Sequence, residues 1–164
     1  MKLYLAGPDL FRPDAAEWAA RAGALCRRAG HEALIPLDGP PLDAAGIYRN
    51  NLRLIGEADL VLANLNPFRG SEPDSGTCVE IGYALALGKP VIGYAETLAA
   101  MCDRLDAAGP GADGCYRDAA GWAVENFGLP LNLMLSVPLQ LEQGGIEAAL
   151  QAVGRVRPVP RQAG

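Results

Sequence analysis

The chain predicts an α/β domain built on a parallel sheet with helices on both faces. Two observations carry that prediction. Short, almost wholly apolar runs recur along the first 94 residues: KLYLAG, HEALIPL, ADLVLANL and KPVIGY. Stretches with helical periodicity separate them. Strands apolar on both sides belong to sheets buried on both faces, which is what helical crossovers produce.

The elements follow in order. KLYLAG is a buried strand ended by Gly7-Pro8. Residues 13–29 are Ala-rich and helical, with Pro13 in the first turn and Gly30 as the stop. Residues 31–37 form a second strand, and DGPPLD (38–43) a turn. Residues 43–57 form a second helix with Ile47, Asn51, Leu54 and Ile55 along one side. ADLVLANL (58–65) is a buried strand, followed by the polar loop NPFRGSEPDSG. A helix runs from about 75 to 87, stopped by Gly88, and residues 89–94 form a strand.

After Tyr94 the pattern loosens. Residues 104–116 read as a mobile excursion, and RDAAGWAVENFG as a helix with Gly128 past its end. LPLNLMLSVP is apolar and interrupted by two prolines, GIEAALQAVGRV is a last helix, and 158–164 is a flexible tail. One domain spans 1–157, as 164 residues imply. Parallel sheets bind ligands at the C-terminal ends of their strands, so the loops after Leu5 and Leu65 are where chemistry is expected.

The formal net charge of −5 argues against a protein that binds nucleic-acid backbone, though not against small nucleosides. No run approaches the ~20 apolar residues of a membrane span, and the start lacks a signal-peptide pattern, so a cytoplasmic protein is expected. Four cysteines without C-x-x-C spacing read as reduced thiols. A single histidine, His31, leaves a zinc site short of its usual ligands, and no metal is expected.

The unusual feature is Glu80, the only charge between Thr77 and Gly88. Ser75 or Asp74 caps this helix, putting Glu80 in its first or second turn, where the helix dipole favours the ionised carboxylate. Ala84 and Leu87 share its side, so the stripe is not a charged outer face. Two readings stay open. Asp74 and Glu80 flank a small ligand, an arrangement suited to glycosidic chemistry; or Glu80 faces solvent and Asp74 is only a cap.

Three separated segments carry a resemblance: YLAGPDLF at the start, ADLVLANLNPFRGSEPDSGTCVEIGYALALGKPVIGY in the middle, and NFGLPLNLML near the end. Together, in this order, they resemble the nucleoside 2-deoxyribosyltransferase family. The resemblance implies a flavodoxin-like three-layer sandwich with a five-stranded parallel sheet. It implies cleavage of the N-glycosidic bond of a 2'-deoxynucleoside and transfer of deoxyribose to a free nucleobase, with retention. Glu80 would be the nucleophile, Tyr4 the hydroxyl that orients it, and Asp74 the acid that protonates the departing base, its proton held by proximity to Glu80. Gly7, Phe11, Asn51 and Gly76 would contact substrate. Asn132 and Met134 would enter the site of a neighbouring subunit in a dimer-based homo-oligomer, with Asn132 on the sugar 5'-hydroxyl. No cofactor is implied, because the covalent intermediate supplies what the reaction needs.

Asn51 departs from the pattern, since some members carry aspartate there and an amide cannot donate a proton as an acid. Two rival functions remain. A nucleotide N-glycosidase would use water and hold a 5'-phosphate, which Asp9 would repel and Arg12 and Arg69 would attract. A non-catalytic nucleotide-sensing module would bind without turnover.

Overall fold

The computed structural model describes residues 1–37 and 43–156. The turn expected at 38–43, apart from Asp43, lies outside the described residues, as do the domain limit at 157 and the tail at 158–164. Strands are β1 (Lys2–Ala6), β2 (Glu32–Leu34), β3 (Leu60–Asn64), β4 (Val91–Ala95), β5 (Tyr116–Arg117), β6 (Ala123–Val124) and β7 (Gln140–Gln143). Helices are α1 (Ala15–Arg28), α2 (Ala44–Glu57), α3 (Ser75–Ala86), α4 (Met101–Arg104), α5 (Leu133–Ser136) and α6 (Ile146–Ala152).

Five strands form one parallel sheet in the order β2-β1-β3-β4-β7. This is the flavodoxin-like order, and the direction of winding switches between β1 and β3. Alternation along the strands sorts the core into two halves. Tyr4, Ala6, Val61 and Ala63 face α2 and α3, where Leu54, Ile55, Ile81 and Ala84 cover them. Leu3, Leu5, Leu60 and Leu62 face α1 and α6, packing with Cys26 and Ala149. Among the described residues no helix is long and apolar enough to cross a membrane.

The helix ends follow local chemistry. Pro13 precedes the N-cap Asp14 of α1 instead of lying in its first turn. At the end of α3, Gly88 takes φ 70°, Lys89 N donates to Ala84 O at 3.0 Å and Gly88 N to Leu85 O at 2.9 Å. That pair of bonds satisfies carbonyls the helix leaves open and requires a left-handed residue, which glycine adopts cheaply.

Beyond β4 the structure departs from expectation. Residues 117–128 do not form a helix. Tyr116–Arg117 pairs antiparallel with Ala123–Val124, and the Asp118 Oδ1 accepts from both Ala120 N and Trp122 N at 2.9 Å. This carboxylate offers the backbone a turn that competes with helix, so the Ala-rich composition misleads. The segment 104–116 holds no long element, yet Ala108 bridges Arg117 and Gly111 N donates to Cys115 O at 3.0 Å. The proline-interrupted stretch 129–138 contains the single-turn helix α5.

The strand ends are tied by side chains. Asn64 Nδ2 donates to the buried Asp9 Oδ2 at 2.7 Å, Asn66 Nδ2 donates to Asn64 Oδ1 at 2.8 Å, and Glu96 N donates to Asn66 Oδ1 at 2.9 Å. Gly7 passes over this ladder with φ 157°. A Cβ there would lie 2.8 Å from Asn64 Cβ and 3.0 Å from Asp9 Oδ2. Gly7→Ala is therefore expected to destabilise the domain by about 1–3 kcal/mol, measured as a lower urea midpoint at unchanged slope; an unchanged midpoint would show that the loop relaxes freely.

Candidate active site

Asp74 is the N-cap of α3; Ser75 is its first residue. The Asp74 Oδ2 accepts from Thr77 N at 2.9 Å and from Thr77 Oγ1 at 3.1 Å. Thr77 is almost fully buried, so the cap is fixed in place. Among the described residues no hydrogen bond ends on Asp74 Oδ1. Gly76 sits beside the cap: a Cβ on it would lie 3.0 Å from Asp74 Oδ2.

Glu80 is the sixth residue of α3 and turns toward β1, not to solvent. Its Oε1 accepts from the Tyr4 hydroxyl at 2.6 Å and from Asn51 Nδ2 at 3.2 Å. Tyr4 is fully buried beneath it. Three elements thus converge on one oxygen: β1 brings Tyr4, α2 brings Asn51, and α3 brings Glu80. Both bonds end on Oε1, and among the described residues none ends on Oε2. Asn51 Oδ1 is buried and has no hydrogen-bond partner among them.

The electrostatics correct one expectation. The helix start does not dominate Glu80. Burial pushes its carboxyl above the usual range; the bonds from Tyr4 and Asn51 pull it down, and the charge of Asp74 pushes it further up. Burial, together with the negative charge of Glu80, also drives the Tyr4 phenol strongly upward, so it remains a neutral donor.

The other residues singled out in the sequence lie in two further clusters. Phe11 is 58 % exposed and stacks on Phe68, with ring centroids 5.4 Å apart. The Arg69 guanidinium lies over both rings, at 5.3 and 4.7 Å. Phe68 and Arg69 were not singled out as partners of Phe11, although the aromatic-basic pair in NPFRG is a visible signal. Asp9 points inward, and Arg12 pairs with Asp14 at 2.8 Å.

Asn132 makes no hydrogen bond to Tyr4, Asp74 or Glu80 of its own chain. It caps α5: its Oδ1 accepts from Met134 N at 3.0 Å, while its Nδ2 donates to Glu125 Oε1 at 2.7 Å. Leu133 N donates to Glu125 Oε2 at 2.9 Å. Met134 is 72 % exposed. Arg104 joins this segment to the loop before Asp74, donating from Nε to Pro130 O at 3.0 Å and from Nη1 to Ser71 O at 2.8 Å. Glu125 and Arg104 left no sequence signal, because their partners are set by the tertiary fold. A cavity of about 1290 Å³ lies against α1 and β2, lined by residues such as Ala19, Gly23 and His31, and includes none of these side chains.

A half-buried ionised carboxylate is costly, and the sign of its effect on stability follows from its raised pKa. The folded state binds the Glu80 proton more tightly than the unfolded state. The cost is therefore present when the group is ionised, above the folded pKa. It is relieved as pH falls through that value, and it is gone below the ordinary 4.5. Glu80→Gln is expected to raise the melting temperature at neutral pH by a few degrees, a domain of this size gaining about 2–4 °C per kcal/mol. The gain should vanish below the ordinary carboxylate pKa. A neutral-pH loss on thermal scanning would instead mean that the Tyr4 and Asn51 bonds outweigh desolvation.

Comparison with known proteins identifies the family and the fold. The sequence profile described as nucleoside 2-deoxyribosyltransferase matches residues 3–134. A solved 2-desoxiribosyltransferase from Leishmania mexicana is 34 % identical, with a TM-score of 0.80, covering 93 % of this chain and 97 % of that one. A conserved protein from Enterococcus faecalis V583 is 22 % identical, with a TM-score of 0.60 over 94 % of this chain and 98 % of that one, and shares the fold. An uncharacterized Schizosaccharomyces pombe protein is 29 % identical over 165 residues, covering 87 % of this chain and 78 % of its own length. With the profile spanning most of the chain and the parallel sheet in the same arrangement, this protein belongs to the nucleoside 2-deoxyribosyltransferase family.

Proposed function

We propose that this protein transfers 2-deoxyribose between nucleobases through a covalent bond to Glu80. The observation that carries the reading is the asymmetry of that carboxylate. Its Oε1 is held by Tyr4 and Asn51, and no hydrogen bond among the described residues ends on Oε2, the oxygen assigned to the attack. In the first step Oε2 bonds to the anomeric carbon of a 2'-deoxynucleoside, and the C–N bond breaks with its electron pair going to the base. The step needs Asp74 in its protonated form: it then supplies the proton the base needs, from Oδ1, since Oδ2 is engaged by Thr77. In the second step a different base attacks the same carbon, the sugar–Glu80 bond breaks, and the proton returns to Asp74. Two displacements give retention.

The environment supports each role. Burial makes Glu80 a stronger base than an exposed carboxylate and hence a better nucleophile. When the ester forms, Oε1 loses its charge and the Tyr4 bond weakens; when the sugar leaves, that bond strengthens again. Tyr4 thereby stabilises Glu80 as a leaving group. Asn51 contributes a neutral donor where an aspartate would add a second negative charge beside the nucleophile. The Phe11–Phe68 pair offers an apolar platform for a base. The sugar 5'-hydroxyl falls to Asn132 of a second copy. The support for this is that Asn132 bonds to none of the acidic pair in its own chain, while Phe127, Met134 and Val137, within five residues of it along the chain, are exposed apolar side chains suited to a contact.

Incubation with deoxyinosine and free adenine tests the reaction. Deoxyadenosine is the expected product. Hypoxanthine with free deoxyribose would mean hydrolysis, and no turnover would mean a sensing module. Glu80→Ala should lose at least about a thousandfold in transfer with the fold intact; near-normal turnover would remove Glu80 from its role. The acid limb of kcat/KM should lie above the ordinary glutamate value of 4.5, because the nucleophile must be ionised and burial raises its pKa. Asn132→Ala mixed with Glu80→Ala should recover activity in hybrid oligomers, and verified mixed oligomers without recovery would contradict a shared site.

A further inference from the structure

We propose that Glu125 is a positioning residue that fixes the orientation of Asn132, and so sets how strongly the enzyme favours a sugar bearing a 5'-hydroxyl. The inference rests on the reading of Asn132 as the group that meets that hydroxyl.

An asparagine on a surface has two faults as a binding group. Its side chain has several rotamers, and its two ends are alike in shape but opposite in hydrogen-bonding sense. A useful binding amide needs both ends assigned before the ligand arrives. Here each end faces a partner of only one kind. The Glu125 carboxylate only accepts, and it faces Nδ2 at 2.7 Å. The Met134 backbone amide only donates, and it faces Oδ1 at 3.0 Å. A flipped amide would set donor against donor and acceptor against acceptor. One N–H and one lone pair of Asn132 remain, and they have a fixed direction.

Glu125 also holds the backbone that carries Asn132. Its second oxygen accepts from Leu133 N at 2.9 Å, one of the amides that the start of α5 leaves without a helical partner. Glu125 is itself anchored. It follows β6, whose Val124 pairs with Tyr116, and its carbonyl accepts from Cys102 Sγ at 3.4 Å. The hairpin that replaced the expected helix thus delivers a carboxylate to the one segment that carries Asn132. A helix cap alone would need only Asn132 Oδ1. The bond from Nδ2 goes beyond what the cap requires: it fixes the sense of the amide, and with it the direction of the N–H and lone pair left over.

The test is steady-state transfer to adenine from 2'-deoxyinosine and from 2',5'-dideoxyinosine, using the full chain and the variants Glu125→Ala, Glu125→Gln, Asn132→Ala and the Glu125→Ala/Asn132→Ala double. Glu125→Ala is expected to lower kcat/KM about tenfold on the 5'-hydroxyl substrate, mainly through KM, and less than about twofold on the 5'-deoxy substrate. The double variant should be no worse than Asn132→Ala, because the two residues act as one unit. Glu125→Gln keeps one accepting oxygen and should fall between wild type and Glu125→Ala. Equal losses on both substrates, additive losses in the double variant, or full activity of Glu125→Ala beside an impaired Asn132→Ala would each overturn the proposal. Should Asn132→Ala itself treat both substrates alike, the reading of Asn132 fails and the assignment of Glu125 falls with it. Circular dichroism and sedimentation against wild type check each variant. If Glu125→Ala does not fold, the same comparison on Glu125→Gln decides.

Discussion

The arrangement depends on one carboxylate partly withdrawn from water and tolerated there. Glu80 is held by the Tyr4 hydroxyl at 2.6 Å and the Asn51 amide at 3.2 Å, both on the same oxygen. Burying a carboxylate without partners costs several kcal/mol, and two neutral donors offset only part of that. The remainder is seen as a raised pKa. The fold carries that cost in a region it has otherwise made rigid: Tyr4 is fully buried within β1, and α3 is closed by the Asp74 cap at one end and the Gly88 turn at the other. Any reaction that neutralised this carboxylate would remove the charge that desolvation penalises.

The winding order explains why the conflict sits where it does. At the switch between β1 and β3 the two connecting loops diverge and leave a crevice at the strand ends. The polar ladder of Asp9, Asn64 and Asn66 knits the loop after β1 to the end of β3, and Gly7 lets the backbone pass over it. Arg104 then ties the loop before Asp74 to the segment that ends in Asn132. The stretches leading into Asp74 and Asn132 therefore share one guanidinium, although no hydrogen bond links those two side chains.

Much of this was legible in the sequence. Four strands announced themselves as apolar runs because the sheet is covered on both faces. The fifth, Gln140–Gln143, did not: it lies at the sheet edge, half-exposed, and reads QLEQ. The Ala-rich 117–128 mimicked a helix because composition carries no record of the Asp118 side chain capturing two backbone amides. Glu80 stood out as a lone charge, and Asp74 as a cap. Their partners were harder to see. Tyr4 came from family resemblance, and Asn51, expected to meet the base, also bonds to Glu80. That contact joins residues 29 apart on different helices, which no local pattern encodes. Glu125 was invisible for the same reason.

Mass analysis of protein quenched with acid after brief mixing with a 2'-deoxynucleoside, in the absence of any acceptor base, addresses the centre of the account directly. The account predicts one added deoxyribosyl group per chain, mapped to the peptide that contains Glu80 and absent from Glu80→Ala. Rapid base exchange with no adduct, or an adduct on another residue, would contradict it.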